Sequence, residues 1–203
     1  RTEIAVPEKI SADFTAILLA AGQSKRFGSP KLLHPLNDDT PLGLVAAQKL
    51  CEVFENVLVV INPHSPELAK RYRALDVRVI IHSNAEQGLG TSLAQGIAQS
   101  ANSQGWLIAL ADMPFIKTET MHTVAEALIQ GAKIAAPCYQ GKRGHPVGFA
   151  KLFKEELLQL NRDTGANQLL QRYAEQVHLI TTDDIGILQD IDTLADLLNN
   201  LHA

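Results

Sequence analysis

Cysteine is scarce in this chain: two in 203 residues, Cys51 and Cys138, far apart and in no Cys-x-x-Cys pair. That excludes a disulfide framework and a cysteine zinc site, and it fits a reducing compartment. A surplus of positive charge is missing as well. Eighteen Lys and Arg against 22 Asp and Glu leave a formal net charge of −4, whereas a general nucleic-acid binder needs a basic face. No apolar run reaches the ~18 residues of a membrane span, although hydrophobic residues make up 46%, ordinary for a globular protein. Residues 1–11 hold no apolar stretch followed by a cleavage site, so no secretory signal is expected. Residues 1–13 read as a polar lead-in. Low-complexity tracts, internal repeats and long linkers are lacking too. The expectation is one cytoplasmic α/β domain over residues 1–203, with no nucleic-acid or membrane partner. No Ser-His-Asp or Cys-His set is evident, and His34, His64, His82, His122, His178 and His202 form no ligand spacing.

What is present is concentrated after the first apolar segment. Residues 14–19 read as a buried strand, and the chain then turns to Ala20-Ala21-Gly22-Gln23-Ser24-Lys25-Arg26-Phe27-Gly28-Ser29-Pro30-Lys31. Small residues let a backbone approach a ligand, and glycine permits φ > 0 where a loop turns. Exposed backbone N–H groups form an anion-binding concavity, and Lys25, Arg26 and Lys31 add charge. The natural guest is a phosphate chain. It is not a Walker A loop, because five residues separate Gly22 from Gly28 and Ser-Pro-Lys follows. It is not a dinucleotide fingerprint either, because Gln23-Ser24 follow Gly22.

Further along, strands are expected at 57–61, 77–81, 106–111 and 132–137. Helices are expected from Thr40-Pro41 to about Glu52, at 66–73, from Thr91 or Ser92 to 98, and from a Thr118 cap to 130. This alternation describes a parallel sheet with right-handed crossovers. After Cys138 the pattern changes. Residues 139–149 read as a turn between extended segments, with the bend at Gly141-Lys142. Helices at 150–160 and 166–173, a strand at 177–182 and a last helix to 199 follow as α+β material attached to the core.

Ligands of open parallel sheets collect beyond the carboxyl ends of the strands. Three pieces fall there: the Gly22 loop, the Asn84–Ser92 stretch and Asp112. A carboxylate at a strand tip beside a phosphate loop points to Mg²⁺, which takes one or two protein carboxylates plus phosphate oxygens and water. The plainer reading of Asp112 is a cap for the turn through Met113-Pro114. Asp190 and Asp192, one residue apart on an extended segment, point the same way and offer a second hold on the metal. The plainer reading there is an N-cap by Asp192 or Thr193. The glycines of Gly88-Leu89-Gly90-Thr91-Ser92-Leu93 can equally mark a simple helix start.

The run Leu19-Ala20-Ala21-Gly22-x-Ser24-x-Arg26-Phe27-Gly28-x-Pro30-Lys31 resembles the signature of the MobA-like nucleotidyltransferases. The resemblance extends over residues 14–198. It implies a Rossmann-like three-layer α/β/α fold, with a mostly parallel sheet and an α+β C-terminal part that binds the acceptor. Asp112-Met113-Pro114 resembles the family's metal-binding aspartate, and Asp190-Ile191-Asp192-Thr193 its late motif, in which one aspartate, Asp190 or Asp192, completes the metal site, with Leu194 where proline is usual. The resemblance implies nucleotide binding by Leu19, Ala20, Ala21, Gly22, Lys31, Asn84, Gly90, Thr91 and Ser92. It implies acceptor binding by Arg143, Gly144, His145 and Pro146, and a further acceptor or loop role for Arg162–Ala166. Arg26 and Lys31, with Asp112, are the expected catalytic residues. Ala21, where guanylyl-transferring relatives usually carry glycine, is similar to the cytidylyltransferases of the molybdenum cofactor. The implied reaction is CTP plus molybdopterin-bound molybdenum giving the cytosine dinucleotide and pyrophosphate, with Mg²⁺ as cofactor and a molybdoenzyme apo-protein as a further partner. Three alternatives stay open: GTP as donor, a sugar phosphate as acceptor, and a non-catalytic cofactor carrier.

Overall fold

The computed structural model describes residues 5–22, 30–36 and 38–200. The strands are β1 (Phe14–Ala20), β2 (Val57–Ile61), β3 (Arg78–Ile81), β4 (Gly105–Leu110), β5 (Ile134–Tyr139), β6 (Lys142–Arg143), β7 (Val147–Ala150) and β8 (Val177–Thr181). The helices are α1 (Leu42–Val53), α2 (Pro66–Arg73), α3 (Leu89–Ala98), α4 (Thr118–Ile129), α5 (Lys154–Leu158), α6 (Asn167–Arg172) and α7 (Leu194–Asn200).

Side chains of a strand alternate between its faces, and the two cores show it. Ala16, Leu18 and Ala20 of β1 join Val57, Val59 and Ile61 of β2 in the layer under α1, α2 and α4. Ile17 and Leu19 join Leu58 and Val60 in the layer under α3, α5 and α6. A sheet covered on both faces explains why β2 is an unbroken apolar run. The result is a Rossmann-like three-layer α/β/α fold with strand order β3-β2-β1-β4-β7-β5-β6 and β8 on the far side of β5.

The expected simple parallel run needs one correction. β1 pairs in parallel with β2 and β4, and β2 with β3. β5, however, does not follow β4 directly. β7 lies between them, antiparallel to both. The C-terminal third is therefore threaded into the middle of the sheet rather than attached beside it. Phe149 faces Trp106 on β4 and Ile134 on β5, so this late strand supplies core that the first five strands alone would lack.

The element ends also differ from expectation. Proline at 41 is the N-cap of α1, and Thr40 makes no side-chain cap. Gly88, not Thr91 or Ser92, precedes α3. Lys117 occupies the cap position of α4, so Thr118 is already helical. The helix expected at 150–160 is a turn at Lys151–Phe153 followed by the short α5. The bend falls at Gln140-Gly141, both with positive φ. No helix among the described residues is long and apolar enough to cross a membrane.

Candidate active site

Three strand tips meet at one edge of the sheet. The Ala111 amide donates to the Leu19 carbonyl (3.1 Å), which sets the start of the Gly22 loop beside Asp112. Leu19, Ala20 and Ala21 are buried, so Ala20 and Ala21 can offer only backbone to a ligand. Asn62, at the end of β2, donates its side-chain amide to the Ala21 carbonyl (3.4 Å). Gly22 is exposed, and a Cβ there would meet nothing within 4 Å among the described residues. The glycine is thus not required by crowding or by a positive φ; it leaves open space where a ligand can come against the backbone. Arg26 lies outside the described residues.

Lys31 begins the turn Lys31–Leu33, anchored by buried Leu32. Gly43 of α1 approaches so closely that a Cβ there would come within 2.7 Å of the Leu32 Cβ. From this anchor the Lys31 ammonium reaches Asp112 Oδ2 at 3.2 Å and Asp192 Oδ1 at 3.6 Å. Asp112, Asp190 and Asp192 each bring a carboxylate oxygen within 4.8 Å of the others. Two backbone features set this. The Ile191 amide donates to the Asp112 carbonyl (2.8 Å), which ties the late segment to the strand tip. Ile191 itself is buried, so its neighbours on either side project the opposite way, toward the site. The cap of α7 is made by Thr193 and Asp196. Asp196 accepts from the Asp192 and Thr193 amides (2.9 and 2.7 Å), and its own amide donates to Thr193 Oγ1 (3.1 Å). Capping therefore falls to other groups than the Asp192 carboxylate. Burial first, then the charges of Asp192 and Asp112, push the Asp190 carboxyl above its ordinary range. Three converging hard oxygen donors whose charges repel fit a divalent cation such as Mg²⁺ or Mn²⁺.

The Arg143–Pro146 segment is held on a bulge. β5 pairs Cys138 with Arg143 and then Ala135 with Gly148, so the register slips by two residues across Gly144–Pro146. Bulges re-aim side chains, and here the slip turns His145 inward. Its amide donates to the Ile187 carbonyl (3.0 Å). Burial, reinforced by the neighbouring Arg143 charge, lowers the His145 pKa to about 4, so the imidazole is neutral at ordinary pH. Burial also lowers the half-buried Arg143. His145 lines a cleft of about 170 Å³ with Leu19, Leu93, Ile108, Thr164 and Asn167. This cleft adjoins the Gly22 loop at Leu19 and is mostly apolar.

The Gly88–Ser92 stretch packs against a distant part of the chain. Cβ atoms at Gly88 and Gly90 would collide with the backbone of residues 161–162. The two glycines thus admit the Asn161–Asp163 segment onto the start of α3. Thr91 Oγ1 donates back to the Gly88 carbonyl (2.7 Å), and Ser92 is 1% exposed, in the packed face of the helix. Asn84 is exposed on the loop after β3. So the structure joins Lys31 to Asp112, Asp190 and Asp192, and joins Leu19 to His145 through the cleft. It accounts for Gly90, Thr91 and Ser92 by packing.

Two residues that the sequence reading passed over support the site. Lys49 Nζ donates to the Pro114 and Ile116 carbonyls (2.7 and 2.9 Å) on the loop after Asp112. Asp184 is 2% exposed and fully engaged with the start of α4. Their signals were a lysine on the apolar stripe of α1, beside Leu42, Ala46 and Val53, and an Asp-x-Gly turn.

A family model described as the MobA-like NTP transferase domain matches residues 16–177. The chain belongs to that family. It is a nucleotidyltransferase by family and by fold. Among curated proteins it is 27% identical over 192 residues to "Nicotine blue oxidoreductase" of Paenarthrobacter nicotinovorans, covering 90% of this chain and 94% of that protein. It is 28% identical over 192 residues to "Purine catabolism protein PucB" of Bacillus subtilis (strain 168), covering 87% and 90%. Among solved structures, Rv0371c of Mycobacterium tuberculosis H37Rv superposes with a TM-score of 0.83 at 25% identity, covering 94% of this chain and 97% of that one. A complex of Rv0371c with manganese superposes at 0.79 and 23% identity, covering 94% and 98%.

Proposed function

We propose that this member of the family transfers CMP from CTP to the phosphate of molybdenum-loaded molybdopterin, with Mg²⁺ as cofactor, in the cytoplasm. The observation that carries nucleotidyl transfer is the convergence of Lys31 with Asp112, Asp190 and Asp192 beside the open Gly22 loop. The manganese complex of a structural relative supports a divalent cation. Ala21, resembling the cytidylyl-transferring members, supports CTP.

In this reading Asp112, Asp190 and Asp192 would hold Mg²⁺, which would supply charge neutralisation for the phosphates and the leaving pyrophosphate. Lys31 turns to the triphosphate and, with Arg26, neutralises the charge that gathers there. The backbone of Leu19 to Gly22 lies against the nucleotide. Arg143, half-buried beside a neutral imidazole, attracts the acceptor's anionic group, and the apolar cleft at His145 receives its ring. The acceptor phosphate oxygen attacks the α-phosphorus in line; the bond to the β-phosphate oxygen breaks and pyrophosphate leaves. The attacking phosphate is already an anion, so no general base is needed, and positioning accounts for most of the rate. The same mechanism serves a single domain spanning residues 1–203, and the free thiols Cys51 and Cys138 suit a reducing cytoplasm.

Pyrophosphate release with Mg²⁺ and molybdenum-loaded molybdopterin, run with each of the four NTPs, tests this. Release with CTP alone is expected. Release with GTP overturns the base preference and keeps the chemistry. Release only with a sugar phosphate as acceptor overturns the acceptor. Cofactor delivery to an apo-enzyme without pyrophosphate release overturns transfer altogether.

A further inference from the structure

Asp184 is a buried carboxylate outside the metal trio. Its Oδ2 accepts from the Lys117 amide (2.9 Å) and from Thr120 Oγ1 (2.6 Å), both at the start of α4. Its Oδ1 accepts from the Gly186 amide (3.0 Å). The turn that it starts, Ile185–Leu188, touches two parts of the site, the loop after Asp112 and the His145 bulge. A Cβ at Gly186 would run into the Phe115 carbonyl, so this backbone lies directly on the loop that follows Asp112. The Ile187 carbonyl accepts from His145, and Gly144 is pressed against it. The same chain then runs straight on to Asp190 and Asp192. From the other side Lys49 grips the Asp112 loop by two carbonyls; burial lowers its pKa, and Asp184 is the largest of the charges that oppose that shift.

We propose that Asp184 is a positioning residue for the metal centre: it fixes the Ile185–Leu188 turn against α4 and the Phe115 loop, and so sets the separation of Asp112 from Asp190 and Asp192. The same clamp keeps the His145 bulge in register with the metal ligands. A carboxylate suits the task because all its partners are donors. An asparagine must turn its NH₂ toward either the α4 start or Gly186, leaving donor against donor. The proposal rests on the metal reading above, and its test separates the two.

Mn²⁺ binding is titrated by electron paramagnetic resonance without nucleotide, on folded wild type, Asp184→Asn, Asp112→Asn and Phe153→Leu. Phe153 lies in the opposite core layer, so its variant lowers the melting temperature without touching the clamp. Asp184→Asn is expected to weaken Mn²⁺ binding by about 10- to 100-fold, as loss of outer-shell support does elsewhere, while Phe153→Leu leaves it unchanged. Thr120→Val, which removes one donor, gives a smaller loss of the same kind and serves where Asp184→Asn does not fold. Wild-type Mn²⁺ affinity in both Asp184→Asn and Thr120→Val, whatever their melting temperatures, would overturn the positioning role alone. Wild-type protein that binds no Mn²⁺, or binds it as Asp112→Asn does, would overturn the metal reading and the clamp with it.

Discussion

Lys31 sets the charge balance of the site. Its ammonium lies 3.2 and 3.6 Å from two of the three carboxylates, where it offsets their repulsion and would compete with a cation. Lys31→Met is therefore expected to tighten Mn²⁺ binding in the absence of nucleotide, by calorimetric titration, yet to slow turnover by about a hundredfold or more, because a charge aimed at the triphosphate is gone. Weaker Mn²⁺ binding in that variant would mean that Lys31 assists the metal rather than standing in for it. At the same scale, the raised Asp190 carboxyl takes up a proton more readily than an ordinary aspartate. Metal binding must displace that proton, so Mn²⁺ affinity should fall as pH is lowered, with proton release on binding. Affinity independent of pH through the acid range would contradict this.

Elements carry the parts of the site in different ways, and they were not equally legible. The apolar runs of β1, β2 and β4 and the residues at their tips read directly, because strand-end chemistry is local: Gly22, Lys31 and Asp112 could be assigned to one edge from order alone. The spacing of Asp190 and Asp192 read correctly as well, since one buried residue between two carboxylates aims both the same way. The place of β7 did not read, because pairing across the sheet is decided by what fills the gap beside Trp106 rather than by any feature of residues 147–150. The packing role of the Gly88–Ser92 stretch did not read for a related reason. Its glycines meet residues 161–162, some 70 positions away, and a glycine that admits distant backbone looks in sequence like one that admits phosphate. The Asp184 turn is the sharpest case. Gly186→Ala is expected to cost roughly 2 kcal/mol, the usual scale of overpacking, which lowers the melting temperature by about 4–8 °C in a domain of this size. A thermal scan showing no change would mean that the turn does not rest on the Phe115 loop.

At the scale of the whole molecule, stability and metal binding are lost in the same direction of pH. His145 has a pKa of about 4 against 6.5 in an ordinary setting. Between those values the unfolded chain binds the proton that the folded one refuses, so this residue's share of stability is complete above about pH 6.5 and is lost as pH falls toward 4. The slope it contributes is at most about 1.4 kcal/mol per pH unit. His145→Asn should flatten the denaturation profile between pH 6.5 and 4, and superimposable slopes for the two proteins would show that the imidazole is not held neutral. The most direct measurement of the central claim remains pyrophosphate release from CTP at saturating Mg²⁺ with the molybdopterin acceptor, comparing wild type with Asp112→Asn of verified fold. A drop of at least about a hundredfold in the variant is what metal-held phosphoryl chemistry requires. Equal rates would contradict it and return Asp112 to the capping of its own turn.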